Sequence, residues 1–247
     1  MFCISILGAT GKMGKCLLRE AREDSSLRVV GALSSANSSF LGKDIGELID
    51  APHQGVLVQK DPEEALKACR VALDFSTAEA VLEHVHAAER AKKALLIGTT
   101  GLDTPTLSAI EKAAQSIPLL LSANFSLGIA LCLEIAPLLT RALNREHYTL
   151  DIFETHHKHK KDSPSGTALS LARALGREEE EIPIHSQRTE DTVGEHVLVF
   201  KGKQERLEIK HSTHARSAFA KGALLAAKWL VKQPPGSYTF NDVLRQS

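Results

Sequence analysis

The sequence predicts an α/β fold, in which a domain built on a parallel sheet with helices is followed by a smaller α+β domain. Two observations indicate this. Over about the first 125 residues, short apolar runs alternate with longer helical patterns, and turn or cap residues stand at each junction, which is typical of successive βα units. Beyond about residue 147 longer strand patterns follow, and two of them flank a turn at Gly202.

Apolar periodicity and turn residues locate the elements of the first region. Strands are predicted at 2–7, 27–33, 71–75 and 94–97, and a helix at 12–23. Ser76 and Glu79 have capping-box spacing, which predicts that a helix starts after the third strand. Asp103 and Pro105 supply a cap and an early proline for a helix that runs to about residue 116.

The second region begins with a helical pattern at 126–143 that contains Pro137, which predicts a kink or a boundary between two helices. The other predicted elements are strands at 148–155, 195–201 and 205–211 and helices at 165–175 and 217–232. A short tail at 237–243 is expected to return to the first sheet. The first domain is therefore predicted to be discontinuous, with residues 1–126 and 213–247, and the second to span 127–212.

Composition limits the classes of function. The 247 residues are 43% hydrophobic and 24% charged, as in folded globular proteins, and 30 Lys and Arg balance 30 Asp and Glu. Without net charge, neither nucleic acid nor a membrane surface is an expected partner. No apolar run reaches the ~18 residues of a membrane span and no basic segment precedes the first apolar run, so we expect a cytoplasmic protein. The separated cysteines agree with a reducing compartment: Cys3, Cys16, Cys69 and Cys132.

A glycine-rich turn follows the first strand and opens the first helix. In this context backbone N–H groups and a helix N-terminus bind a pyrophosphate, as in Rossmann-like domains. The spacing is Gly-x-x-Gly-x-x-Gly and not the more common Gly-x-Gly-x-x-Gly, so a tight turn without a ligand is the alternative. The predicted dinucleotide-binding residues are Gly8, Ala9, Thr10, Gly11, Lys12, Met13 and Gly14.

The end of the second strand bears on which dinucleotide binds. NAD-binding domains carry an Asp or Glu about 20 residues after the turn, and this chain has Ser34 and Ser35 there. No carboxylate would repel a 2′-phosphate, and the serine hydroxyls and Lys12 can bind one. The sequence therefore favours NADPH over NADH, with ordinary turn serines as the alternative.

Two more polar segments follow buried strands at the edge where open α/β sheets bind ligands. One is Gly98-Thr99-Thr100-Gly101, which alone is also compatible with a simple turn. The other is 122–126, where Ala123, Asn124 and Phe125 either contact a flat nicotinamide or precede the cap of the next helix.

The segment 154–168 is the densest chemical signal, because three histidines and three lysines fall within six residues. Three interpretations compete: a metal site, a solvated basic loop and an anion-binding catalytic site. No metal is predicted, since three ammoniums would repel a cation and no cysteine or second carboxylate cluster lies nearby. A basic loop does not explain the helix start that follows at Ser165, Gly166 and Thr167, whose backbone N–H groups attract an anion.

A small substrate with two carboxylates would use both the cations and the helix start. Lys160 follows His156 by four residues, so both project to one side of a helical turn or a strand. Reduction of a C=N or conjugated C=C bond leaves negative charge, so a positioned acid speeds it by about a hundred- to ten-thousandfold. Crowded cations lower one another's pKa, which suits Lys160 as that acid.

Motifs along nearly the whole chain resemble the 4-hydroxy-tetrahydrodipicolinate reductase family. They are GATGKMG at 8–14, DFST at 74–77, GTTG at 98–101, ANFSLG at 123–128 and HHKHKKDSPSGTA at 156–168, supported by VGEH at 193–196, FAKGA at 219–223, His211 and Arg216. The HHKHKKDSPSGTA motif is the most specific. The resemblance implies an NAD(P)H-dependent oxidoreductase of the diaminopimelate route to lysine, which reduces a cyclic dicarboxylate with loss of water.

The resemblance also implies residue roles and a homotetramer built through the sheet of the second domain. His156 stands at the family's proton donor/acceptor position and Lys160 at its proton-donor position. The implied substrate-binding residues are His157, Ser165, Gly166, Thr167 and Thr100. The implied cofactor contacts are the turn at 8–14 with Ser34, Ser35, Phe75, Gly98, Thr99, Thr100, Ala123, Asn124 and Phe125.

The chain departs from the family pattern in a few places. NADH-preferring members often carry an acidic residue at the Ser34-Ser35 position, and Glu190 stands where glycine is usual. The loops around 52–55 and 176–183 are short. Two other functions stay open: a related two-domain NAD(P)-dependent dehydrogenase of another amino-acid precursor, and a dinucleotide sensor without catalysis.

Overall fold

The computed structural model describes residues 1–143, 148–158, 160, 162–176, 182–190 and 192–245. The chain divides into two compact units, of which the first comprises Met1–Phe125 with Phe219–Ser247 and the second Ser126–Ala218. The first unit contains a seven-stranded sheet and the second a four-stranded sheet. Within the described part of the chain, no helix is long and apolar enough to cross a membrane.

The elements follow the chain in this order. The strands are β1 (Phe2–Leu7), β2 (Leu27–Leu33), β3 (Val58–Gln59), β4 (Val71–Asp74), β5 (Ala94–Ile97), β6 (Pro118–Leu121), β7 (Thr149–His157), β8 (Ile184–Thr189), β9 (Gly194–Lys201), β10 (Arg206–Thr213) and β11 (Gly236–Tyr238). The helices are α1 (Lys12–Glu23), α2 (Pro62–Leu66), α3 (Ala78–Ala91), α4 (Thr104–Ala113), α5 (Leu127–Leu143), α6 (Gly166–Ala174), α7 (Ser217–Leu230) and α8 (Phe240–Arg245), with a 3-10 turn at Glu47–Ile49.

The sheet of the first unit is parallel, in the order β11-β6-β5-β4-β1-β2-β3. Its central strands β4 and β5 are buried along their whole length and, apart from Asp74, apolar, as expected when helices cover both faces. The predicted return of the tail to this sheet is confirmed, because β11 pairs with β6. All these strands end at the same edge, which therefore collects the loops after β1, β2, β4 and β5.

The helix caps agree only in part with the prediction. The capping box of Ser76 and Glu79 is wrong, since the N-cap of α3 is Thr77. The hydroxyl of Ser76 instead donates to Oδ1 of Asp74 at 2.6 Å, so it is already used. Asp103 caps α4 as predicted, with its carboxylate 3.0 Å from the N–H of Thr106.

The sheet of the second unit is mixed, in the order β10-β9-β7-β8. β9 is antiparallel to β10 and β7, while β8 is parallel to β7 and was not predicted. Helices α5 and α6 share a core cluster with the buried face of this sheet. α5 is a single helix that continues through Pro137, which has no N–H to donate to the preceding turn. These two sheets confirm the predicted fold class.

Candidate active site

The glycine-rich turn joins β1 to α1 with almost no room for side chains. Gly8 has φ = +81°, and a Cβ there would lie 2.5 Å from the carbonyl oxygen of Phe75. A Cβ at Gly14 would lie 2.2 Å from the carbonyl oxygen of Gly8, so α1 packs directly on the turn. Gly11 is the N-cap of α1 and supplies no side-chain acceptor for the N–H groups of the first helical turn. The turn is therefore a backbone cradle suited to a pyrophosphate.

The predicted cofactor positions follow different strands of the first sheet. Gly8, Ser34, Phe75 and Gly98 come directly after β1, β2, β4 and β5, so they lie at one edge of the sheet. A cavity of about 450 Å³ opens there. The predicted contacts that line it are Gly8, Thr10, Gly11, Ser34, Ser35 and Phe75.

The end of this cavity near β2 and β3 is polar. Ser34 is buried, with its hydroxyl 2.7 Å from that of Thr10, and its N–H donates to the carbonyl of Gln59 at 2.9 Å. Ser35 and Lys60, the residue after β3, also line the cavity and are exposed. Their hydroxyl and ammonium groups are therefore open to an anion at this end.

A buried carboxylate connects two of the predicted cofactor loops. Asp74 ends β4, and its Oδ1 accepts a hydrogen bond from the hydroxyl of Thr99 at 3.1 Å. Its Oδ2 lies 2.7 Å from Nδ1 of His84 on α3. The ring of Phe75 occupies the space beside Gly98, where a Cβ would come within 2.1 Å of it. The loops after β4 and β5 are thus held against each other.

The remaining predicted cofactor contacts lie outside the cavity lining. Phe125 is buried, with its ring centroid 5.6 Å from that of Phe75 and 5.3 Å from that of Phe240. Its side chain therefore packs in the core of the first unit. The others outside the lining are Ala9, Lys12, Met13, Gly14, Gly98, Thr99, Thr100, Ala123 and Asn124.

The catalytic candidates belong to the second unit. Glu154 and His156 lie on the buried face of β7, with 1% and 7% of their surface exposed. His157 points to the other face, because alternate residues of a strand project in opposite directions. The two neighbouring histidines therefore face different environments.

Glu154 is the centre of the buried polar contacts. Its two oxygens lie 3.2 and 3.1 Å from the backbone N–H of Ser165, and Arg188 donates to Oε1 from both terminal nitrogens at 3.3 Å. Its Oε2 lies 3.3 Å from Nδ1 of His156. Burial raises the pKa of Glu154, but hydrogen bonds from Ser165 and Ser186 outweigh burial and hold this pKa below its ordinary value. Glu154 is therefore an anion at neutral pH.

Lys160 lies in a turn after β7, where its N–H donates to the carbonyl of His157 at 3.1 Å. The turn replaces the helical or extended spacing from which we expected His156 and Lys160 to share a side. The Lys160 ammonium is 2.9 Å from Oδ1 of Asp162. Burial lowers the pKa of His156, Glu154 opposes this, and the Lys160 charge lowers it further, so Lys160 and His156 interact electrostatically.

The other basic residues of the segment 156–161 are Lys158, His159 and Lys161. Lys158 pairs with Glu190 at 2.7 Å and is about half exposed. His159 and Lys161 lie outside the described residues. The described part of the cluster therefore pairs its lysines with carboxylates.

The start of α6 lies beside Glu154. Ser165 is the N-cap, and its hydroxyl accepts the N–H of Ala168 at 3.1 Å and lies 3.3 Å from Nε2 of His196. Ser165 itself is buried, whereas Gly166 is exposed and Thr167 half-buried. The accessible part of this helix start is therefore Gly166 and Thr167.

Two histidines extend the buried face across the neighbouring strands. His196 on β9 is paired with Glu154, and His211 on β10 is paired with His196, so the three share one face. The ring centroid of His196 is 5.0 Å from that of His156 and 6.5 Å from that of His211. Burial, followed by the nearby His156, lowers the pKa of His196 to about 3, and burial lowers that of His211. Both imidazoles are neutral at pH 7.

Comparison with known proteins agrees with this geometry. Models of the N-terminus and C-terminus of dihydrodipicolinate reductase match residues 2–125 and 128–244. The chain belongs to the dihydrodipicolinate reductase family. It is 39% identical to the 4-hydroxy-tetrahydrodipicolinate reductase of Methanopyrus kandleri over 99% of this chain and 97% of that protein. It is 35% identical to that of Syntrophus aciditrophicus over 97% of each.

A solved structure shares the fold of this reductase. Dipicolinate-bound dihydrodipicolinate reductase from Paenisporosarcina sp. TG-14 superposes with a TM-score of 0.79 at 23% identity, covering 97% of both chains. Family membership confirms the resemblance inferred from the motifs and makes the protein an oxidoreductase. The N-terminal match implies that it uses NAD(P)H, and the glycine cradle, which a Cβ at Gly8 or Gly14 would fill, fits such a cofactor.

The metal interpretation can be judged from the same contacts. Ligand atoms of Glu154, His156 and His196 lie within 4.8 Å of one another in this reductase. Arg188 already donates to Glu154, and the Lys160 charge acts on His156. Because both cations would repel a metal ion, the cluster favours an anionic ligand.

Several polar residues of these two sites had no role predicted from the sequence, although Asp74 and Glu154 lie in motifs singled out there: Lys60, Asp74, His84, Glu154 and Arg188. Alternation along β7 was a usable signal for Glu154, since it puts this residue on the same face as His156. Lys60 had no such signal, because β3 is only two residues long.

Proposed function

We propose that this reductase converts (2S,4S)-4-hydroxy-2,3,4,5-tetrahydrodipicolinate to tetrahydrodipicolinate with NAD(P)H and loss of water, in the diaminopimelate route to lysine. The observation that carries the proposal is the cluster of His156, Lys160 and Glu154 beside the start of α6, in a chain of this family. Such a cluster joins proton-handling groups to a helix N-terminus that attracts a carboxylate.

The first unit is proposed to bind the cofactor, which supplies the hydride when bound. The turn at 8–14 would receive the pyrophosphate through backbone N–H groups. Ser35 and Lys60 would face the adenosine ribose at the polar end of the cavity. Phe75 and the loops at 98–101 and 122–126 would contact the nicotinamide end of the cofactor. Because Lys60 and the serines suit a 2′-phosphate, we propose that NADPH is preferred and NADH accepted.

The second unit is proposed to bind the dicarboxylate. Gly166 and Thr167 would receive one carboxylate. His157, the last residue of β7, would receive the other at the end of the strand, where both of its faces are reached, while Ser165 supports this site by capping α6. Lys160 is proposed to donate the proton that accompanies hydride transfer. His156 is proposed as the second proton donor/acceptor, and its lowered pKa keeps it neutral and able to accept a proton at pH 7.

We also propose a cytoplasmic homotetramer formed through the sheet of the second unit. On the face of β7 opposite Glu154, Phe153 is 37% exposed and its ring centroid lies 4.5 Å from that of His185. An exposed aromatic pair on a sheet face is a surface that a second copy can cover.

The direct test is an assay with freshly generated 4-hydroxy-tetrahydrodipicolinate and either NADPH or NADH, monitored by the near-ultraviolet absorbance of the reduced nicotinamide. Rapid loss of absorbance with substrate is expected, faster with NADPH. A protein that binds a dinucleotide but shows no loss would instead be a dehydrogenase of another amino-acid precursor or a sensor, and screening other cyclic and linear substrates would separate these two.

Lys60→Ala is expected to raise the dissociation constant of NADPH about tenfold, because a charge-assisted contact to phosphate contributes about 1.5 kcal/mol. The dissociation constant of NADH should not change, since NADH lacks the 2′-phosphate. Titrations of nicotinamide fluorescence measure both values. Lys67→Ala, an exposed lysine paired with Glu64, is the matched control. An equal loss for both dinucleotides would show that Lys60 does not recognise the 2′-phosphate.

A further inference from the structure

We propose that Glu154 is a positioning residue, whose buried carboxylate holds both His156 and the start of α6 in place. The inference rests on the proposed function of those two features and gives Glu154 no contact with the substrate. It follows from where the carboxylate oxygens lie and from the charges around them.

The first contact is with the imidazole. Oε2 of Glu154 lies 3.3 Å from Nδ1 of His156, and both side chains are almost inaccessible. With Nδ1 facing the carboxylate, Nε2 is the ring nitrogen left for proton transfer. Gly194 keeps space beside it, because a Cβ there would lie 3.3 Å from this nitrogen. Nδ1 has no hydrogen-bond partner among the described residues, so Glu154 acts on it through its negative charge, which favours a proton on Nδ1 and leaves Nε2 to exchange protons.

The second contact is with helix α6. Both carboxylate oxygens accept the N–H of Ser165, which is the N-cap of that helix. A shift of the carboxylate would move the cap and, with it, the backbone at Gly166 and Thr167, where the Gly166 N–H lies 3.4 Å from Oδ2 of Asp162. One side chain therefore aligns the proposed proton carrier with the proposed carboxylate site.

The electrostatic setting makes this role measurable. Besides Glu154, the charged or titratable side chains that face His156 among the described residues come from β8, β9 and the segment after β7: Arg188, His196, Lys160 and Asp162. Burial lowers the pKa of His156, Glu154 and Asp162 raise it, and Lys160 and Arg188 lower it. Removal of the Glu154 charge should therefore shift the titration of His156 to lower pH.

Glu154→Gln tests this, because it keeps the size of the side chain and an oxygen for the Ser165 N–H but removes the charge. We expect kcat to fall about ten- to a hundredfold, as when a reacting group is displaced by a fraction of an ångström to 1 Å. The NMR titration of His156, assigned with a His156→Asn variant, should move to lower pH, and the acidic limb of the kcat profile should move with it. The dissociation constant of NADPH should not change.

Glu195→Gln is the matched control. Glu195 is on β9 but points to the opposite face, where Lys210 and Ser212 contact its carboxylate at 2.9 and 2.8 Å. This variant should keep wild-type kcat and the wild-type titration of His156. Glu154→Asp retains the negative charge on a side chain that is one methylene shorter. In this variant the pKa of His156 should return part of the way to its wild-type value, whereas kcat should stay close to that of Glu154→Gln.

Other outcomes separate this inference from the proposed function. If Glu154→Gln loses thermal stability but keeps kcat per folded molecule and the His156 titration, the role of Glu154 is structural and the inference is overturned. If the wild type does not reduce 4-hydroxy-tetrahydrodipicolinate, the proposed function fails, but the His156 titration and the affinity for dipicolinate still test Glu154. If Glu154→Gln does not fold, Glu154→Asp decides, and wild-type kcat in it overturns the inference.

Discussion

Lys160→Arg is expected to lower kcat at least about a hundredfold, because a positioned acid contributes about a hundred- to ten-thousandfold to such a reduction. Arginine keeps the positive charge and can pair with Asp162, as Lys160 does at 2.9 Å. Its guanidinium does not release a proton in the working pH range. KM for the dicarboxylate should therefore change little while kcat falls, and steady-state kinetics measure both.

Lys160→Ala, compared with Lys160→Arg, separates the effect of losing the positive charge from the effect of losing the proton donor. It should lower kcat by a similar factor and also raise KM, because the cation that attracts the substrate is gone. Lys158→Ala is the control, since Lys158 pairs with Glu190 at the surface and should behave as wild type. The dissociation constant of NADPH should be unchanged in all three variants, because the proposed cofactor residues belong to the first unit. Near-normal kcat in both Lys160 variants would exclude Lys160 as the proton donor.

The strands of the first unit were predictable because their environment is uniform. β4 and β5 are buried at every position and all their residues except Asp74 are apolar, so each appears as a short apolar run next to turn residues. The glycine turn was predictable for a related reason, since Gly8 and Gly14 stand where any Cβ would clash with backbone. The return of the tail followed from a short β pattern after two prolines.

The elements that were missed have weak local signals. β3 has two residues and α2 five, so each is too short for its pattern to repeat twice. β8 pairs only with β7, and its sequence IHSQRT is polar and largely exposed, which hides any alternation. The cap of α3 shifted to Thr77 because Asp74, at the end of β4, takes the hydroxyl of Ser76. The position of this cap and the pairing of β8 depend on tertiary contacts that local pattern does not encode.

In the site of the second unit, some residues were likewise predictable from the sequence and others were not. Histidines and lysines close in sequence pointed to His156 and Lys160, but the partners of His156 come from strand pairing. Glu154 meets His196 because β7 and β9 are antiparallel in that register, and Arg188 is opposite His156 on β8. Register is set by pairing across the sheet, so the sequence alone could not bring these residues together.

Gly14→Ala is expected to abolish useful cofactor binding. A Cβ at this position would lie 2.2 Å from the carbonyl oxygen of Gly8 and 2.7 Å from Cα of Ala9, so the turn or α1 must move. Such overpacking costs about 1–3 kcal/mol of stability. Because the same movement spoils the N–H groups that would bind the pyrophosphate, the dissociation constant of NADPH should rise more than about tenfold. Thermal unfolding and nicotinamide fluorescence measure the two effects.

Gly55→Ala is the control, because it distinguishes the general loss of stability on replacing a glycine from the effect of the local clash at Gly14. Gly55 has φ = +75°, and a Cβ there would meet no heavy atom within 4 Å, so alanine costs only the strain of a positive φ, about 1–2 kcal/mol. Its stability should fall by an amount comparable to that of Gly14→Ala while NADPH affinity stays at the wild-type value. A parallel loss of affinity in both variants would mean that instability, and not the shape of the turn, controls binding. A loss confined to Gly14→Ala assigns the effect to the close packing of α1 on the turn, which is what brings the helix N-terminus to the proposed pyrophosphate site.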